Sequence, residues 1–150
     1  MTSIAFSLLN EAATNDLLVM DIDSIHSVLS LLSLSGRDQD AWSVLTWTAN
    51  YSFGEHIRPD STVYSRVLEC ACRTHNSGLL LQTFRLIGND SSANIDESVF
   101  LDTLKYCSLT GYHRVALQVL ACYSKFYRSI PVQAYSLFVA VIYTHYRSMQ

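Results

Sequence analysis

Residues 25–41, IHSVLSLLSLSGRDQDA, and residues 100–116, FLDTLKYCSLTGYHRVA, share one frame. In each, a large apolar residue (Ile25, Phe100) is followed eleven positions later by a glycine (Gly36, Gly111), and five positions after that by an alanine (Ala41, Ala116). The apolar residues between recur at helical spacing. A glycine just past such a row is a helix stop, because it alone enters the left-handed conformation at no steric cost. Each stretch therefore predicts helix, tight turn, helix. Placing Tyr64 and Tyr135 in the column of Ile25 and Phe100 aligns the next columns too: Val28-Leu29, Val67-Leu68, Thr103-Leu104 and Phe138-Val139.

The frame divides the chain into units at 22–60, 61–96 and 97–132, of 39, 36 and 36 residues, with a half unit at 133–150. A period in the thirties with one mid-unit turn is the pattern of stacked helical hairpins. The expected fold is all-α: a right-handed superhelix, or solenoid, of antiparallel hairpins with about eight helices. Residues 1–21, with Ile4, Leu8, Leu9, Leu17 and Leu18 on one side, are expected to form an N-terminal capping helix. Asp23-Ser24 is the expected N-cap of the next helix, and Arg37 to Asp40 its following turn. Tyr51 to Ile57 is irregular. Pro59 then stops the helix before it, and Asp60 or Ser61 caps the one after. Unit two is expected to turn at Thr74 to Gly78 and to end in a polar loop over Gly88 to Asn94. In unit three the second helix carries Val115, Ala116, Val119, Leu120 and Tyr123. The half unit carries Tyr135, Phe138, Val139 and Ile142 on its apolar side.

Length agrees with one domain of ordinary size, long enough for a real core. The chain has 150 residues, 49% of them hydrophobic but only 15% charged, against about a quarter in ordinary globular proteins. Nine Tyr and six Phe add to a weakly solvated surface, part of which is expected to lie against a partner. The net charge of −3 offers no attraction to nucleic acid as a whole. No apolar run reaches the ~18 residues of a membrane span. Met1 to Asn10 has neither the Arg-rich character of a transit peptide nor the basic head of a secretion signal.

No constellation of residues suggests catalysis, a metal or a cofactor, and none is expected. His26, His56, His75, His113 and His145 lack an i, i+4 partner or an acidic neighbour at ligand spacing. His75 and His113 fall in matching inter-helix turns, near helix C-termini. Gly54, Gly78 and Gly88 are isolated, so no phosphate loop is present. Cys70, Cys72, Cys107 and Cys122 lie in apolar helical stretches and are expected as buried, reduced thiols. Tyr64, Phe100 and Tyr135 head apolar rows and are expected in the core. Trp42 and Trp47 lie on slightly different faces of one helix, so one of them is a candidate interface anchor. Lys125-Phe126-Tyr127-Arg128 forms a small basic-aromatic patch.

These residues resemble the pentatricopeptide repeat, whose pattern has an early aromatic, a glycine between helices, an alanine early in the second helix and a closing Pro-Asp. Unit one supplies Gly36-Arg37, Ala41 and Pro59-Asp60; unit two Tyr64, Leu68, Cys72-Arg73 and Phe84; unit three Phe100, Leu104, Gly111, Ala116 and Leu117. The tetratricopeptide repeat fits less well, since it keeps a small residue where this chain has Leu29, Leu68 and Leu104. RNA-reading members of the family use a polar side chain early in the first helix with the residue that closes the unit, and a basic residue late in that helix. The resemblance places His26, Ser65, Leu101 and Ser136 at the early position and Leu34, Arg73 and Leu109 at the late one. Leucine cannot hydrogen-bond a base edge, so a continuous base code is interrupted. Pro59 to Asn76, above all Cys72-Arg73-Thr74-His75-Asn76, is similar to subunit Va of cytochrome c oxidase, another short helical stack.

Both resemblances imply a mitochondrial protein. The expected function is a non-catalytic scaffold subunit of a mitochondrial assembly such as the ribosome or its assembly intermediates, bound mainly to protein subunits. The alternatives are an accessory subunit of a respiratory complex and an organellar RNA-binding factor. Candidate contacts to RNA or a partner are His26, Ser65, Arg73, Lys125, Arg128 and Ser136, with Trp42 or Trp47 as anchor. Any RNA contact is expected to be weak and through phosphate; no DNA contact is expected.

Overall fold

The computed structural model describes residues 22–50, 59–90 and 93–149. The expected capping helix at 1–21, and Gly54, His56 and Arg58, lie outside the described residues. Within them the protein is all-helical, with seven helices and no strand: α1 Ile22–Leu34, α2 Asp38–Asn50, α3 Ser61–Arg73, α4 Ser77–Asn89, α5 Glu97–Thr110, α6 His113–Phe126 and α7 Val132–Ser148. The chain divides into two compact units, residues 1–75 and 76–150. In the first, α1, α2 and α3 pack on one another; in the second, α4 packs on α6, and α5, α6 and α7 pack together.

The first unit is built on the apolar rows. Ile25, Leu29 and Leu32 of α1, Ala41, Val44 and Leu45 of α2, and Val63, Tyr64, Val67 and Leu68 of α3 are all buried. Gly36 ends α1 at φ +66°, and the Arg37 amide donates to the Leu32 carbonyl at 2.9 Å, so the left-handed turn satisfies carbonyls the helix leaves open. The turn is shorter than expected, because α2 starts at Asp38 and Arg37 pairs with Asp40 at 2.5 Å in its first turn. Likewise α1 starts at Ile22, which puts Asp23 and Ser24 inside its first turn rather than at its cap. Asp60 does cap α3, accepting the Val63 amide at 2.9 Å.

The second unit centres on Phe100, fully buried among Phe84 at 6.0 Å, Tyr123 at 4.9 Å, Phe126 at 6.1 Å and Tyr127 at 6.2 Å between ring centroids. Burial of one such ring is worth about 1.5–3 kcal/mol. Asn76 caps α4 through the Leu79 amide at 3.0 Å. That helix runs on to Asn89, so Gly88 is helical and the polar loop begins only at Asp90. The glycine has a packing use, since a Cβ there would lie 3.3 Å from Cys122 Sγ on α6. Gly111 ends α5 at φ +76°. His113 is the first residue of α6, whereas His75 lies in the turn after α3 at φ +54°; the two do not occupy equivalent places.

Candidate interaction surface

Helix α7 departs from the expected pattern. Pro131 precedes it at φ −64°, ψ 152°, an extended entry that starts a helix without an amide to satisfy. Its buried residues are Ala134 and Val141, one heptad apart, with Phe138 and Ile142 half-buried. Tyr135 and Val139, expected inside, are exposed. The contrast lies along one column of the repeat. Ile25, Tyr64 and Phe100 head the same column and are at most 1% exposed, whereas Tyr135 is 53% exposed. Phe100 is enclosed because α6 follows α5 and lays Tyr123 and Phe126 against it. Among the described residues no helix follows α7.

The result is a stripe of exposed large side chains, Val132, Tyr135, Val139, Tyr143 and Tyr146, at successive helical steps of three and four. Met149 continues it past the last turn. The opposite side of α7 is firmly held. Thr144 donates to the Ser108 carbonyl at 2.7 Å, and a Cβ on Gly111 would meet the His145 backbone at 3.0 Å. Residues 127–150 contain Arg128, His145 and Arg147 and no Asp or Glu. The stripe therefore sits on a helix that bears no acidic side chain and one formal charge, Arg147 in its last turn.

The residues singled out from sequence are dispersed, and several are already engaged. His26 Nε2 lies 3.0 Å from both carboxylate oxygens of Asp60, so the early polar residue of unit one is tied to the residue that closes the unit. Arg73 is exposed but pairs with Glu69 at 3.7 Å, and Arg66 pairs with the same carboxylate at 3.0 Å. Ser65 is half-buried; Ser136 and Arg128 are exposed. The expected basic-aromatic patch is split. Lys125 donates to the Gly88 carbonyl, and Tyr127 donates to the Ile95 carbonyl at 2.8 Å, while Phe126 turns toward Phe100. Apolar rings leave water for the core, which separates them from Arg128. Trp42 and Trp47 are both half-buried, so neither stands out as a projecting anchor.

The thiols are unreactive by environment. Cys70, Cys107 and Cys122 are buried and Cys72 is half-buried, and all four are free. Burial pushes the Cys70 and Cys72 thiols up to about 11, since the thiolate would lose its hydration. Cys122 is raised for the same reason while its Sγ lies 3.1 Å from the Phe84 carbonyl. Tyr123 donates to Glu97, and burial with that carboxylate beside it raises the phenol well above its ordinary range. Among the described residues no helix is long and apolar enough to cross a membrane.

Comparison with family models, curated proteins and solved structures gives no match. The α7 stripe could not be found from the sequence row alone. Its signal there, an apolar column, is the same signal that marks the core in α1, α3 and α5.

Proposed function

We propose that this chain is a non-catalytic helical-repeat scaffold, its hairpins stacked as a right-handed superhelix, and that α7 seats an amphipathic helix of a partner protein. The observation that carries this is the exposed stripe from Val132 to Tyr146. The same repeat supplies the template: α6 lays Tyr123 and Phe126 against the leading aromatic of α5, and a partner helix of like apolar face would cover Tyr135, Val139 and Tyr143. Each large side chain so covered contributes up to about 1.5–3 kcal/mol before the costs of association. Tyrosines suit such a surface, having an apolar body and a hydroxyl that stays wet at the rim. Arg147, the one formal charge on α7, stands in its last turn, so the partner helix carries an acidic residue at the end that meets it.

The mitochondrial setting, first a ribosome or its assembly intermediate and second a respiratory complex, rests on the resemblances of residues 22–150 and 59–76. A solitary RNA factor is disfavoured by Leu101, by the His26–Asp60 pair and by the acidic balance. The test is affinity purification of the full chain against a Val139→Glu/Tyr143→Glu variant, with mass spectrometry and crosslinking from α7. The expected result is a set of ribosomal proteins that is lost in the variant, with crosslinks to an amphipathic helix. Oxidase subunits lost in the variant would transfer the proposal to the respiratory complex. A protein set unchanged by the variant, or transcripts alone, would overturn it.

A further inference from the structure

We infer that the second unit holds a binding site for a small phosphomonoester, independent of the α7 stripe. A cleft of about 460 Å³ opens where the first turn of α4, the α5–α6 turn and the last turns of α7 meet. Its volume falls in the range of about 300–1,000 Å³ typical of small-molecule sites. Gly78, Gly111, His113, Arg114, His145 and Ser148 line it, and no Asp or Glu side chain does. The His113 and His145 rings, from different helices, meet at a centroid distance of 4.1 Å and an angle of 45°. Gly111 makes this meeting possible. Its missing side chain lets the backbone of His145 approach to where a Cβ would be only 3.0 Å away.

The wall is therefore rich in donors. Every imidazole carries at least one N–H whatever its protonation, and the Arg114 guanidinium adds five. The helix α6 opens at this wall without a side-chain cap, because Tyr112 in the cap position has no oxygen within reach of the first-turn amides. α7 contributes its C-terminal end, whose dipole opposes an anion, but α4 and α6 both contribute N-terminal ends. A phosphoryl group offers several acceptor oxygens to such a set, and Arg pairs with it in a bidentate fork. Leu81 and Val115 supply an apolar side to the cleft, which suits the organic part of a phosphate ester. On the opposite wall a Cβ at Gly78 would meet only Asn76 Oδ1, at 3.5 Å, so the space there is open.

The test is an amide and imidazole NMR titration of the full chain with inorganic phosphate, adenosine 5′-monophosphate and adenosine at constant ionic strength. The expected result is saturable shifts of the His113 and His145 ring signals and of the amides from Gly111 to Val115, stronger with the monophosphate than with phosphate and absent with adenosine. Arg114→Gln should weaken binding about tenfold, the loss of a charge-assisted hydrogen bond. Gly78→Leu, whose Cβ would meet only the Asn76 side chain at the cleft wall, should abolish it while the helical circular dichroism stays unchanged. Shifts that never saturate, that follow salt alone, or that persist in both variants would overturn the inference. Val139 and Tyr143 do not line the cleft, so the α7 variant leaves phosphate binding intact and the two proposals fail separately.

Discussion

Gly36 and Gly111 look alike in sequence, and replacing each by alanine should separate two costs that the sequence merges. Both glycines are left-handed, at φ +66° and +76°, so each alanine variant takes on the steric penalty of that region, about 1–2 kcal/mol. At Gly36 little more is added, since a Cβ would lie 3.7 Å from Thr74 Cγ2, an ordinary contact with a side-chain methyl. At Gly111 the Cβ would lie 3.0 Å from His145 N, 3.1 Å from its Cα and 3.3 Å from Thr144 C. These are backbone atoms of a helix pinned by the Thr144–Ser108 bond, so α7 itself must shift. Overpacking of this kind costs about 1–3 kcal/mol, which brings Gly111→Ala to about 2–5 kcal/mol. Asparagine, which tolerates positive φ, should rescue position 36 but not position 111. Urea unfolding resolves the two sites. Tryptophan fluorescence reports only the first unit, where Trp42 and Trp47 lie, and amide exchange of α5 to α7 reports the second. Equal losses at the two positions, or a full rescue by Gly111→Asn, would refute the close approach of α7.

Leu104→Ala should cost about 2–5 kcal/mol in urea unfolding, because the residue is fully buried; an unchanged midpoint would place that column outside the core. The thiols set an alkaline limit. Their folded-state values are raised from 9.0 to about 11 at Cys70 and Cys72, so the unfolded chain loses these protons first and stability should fall as pH rises from about 9 to 11. Replacing both cysteines by alanine should flatten that part of the profile, and alkylation of the folded wild-type chain near neutral pH should be slow. Single-stranded RNA should bind the full chain no more tightly than about 10⁻⁴ to 10⁻⁶ M, with steep loss in salt and no dependence on sequence; nanomolar selective binding by fluorescence anisotropy would restore an RNA-reading role.

The described helices, the stops at Gly36 and Gly111 and much of the core could be read from the row of residues, because helical spacing and the stop glycines act over a few neighbouring positions. Ile25, Leu29, Tyr64, Leu68, Phe100 and Leu104 are buried where the repeat column puts them. The same column failed at Tyr135 and Val139. An apolar row says that a face avoids water, but whether that face is covered depends on another helix being there, and α7 has none among the described residues. The pairing of His26 with Asp60 and the meeting of His113 with His145 join residues far apart in the chain, and no local spacing encodes either. The two glycines show the division most plainly. Their left-handed backbone is a property of the turn and was legible as sequence. The closeness of α7 to one of them, which raises the cost of replacing that glycine, exists only in the packed fold.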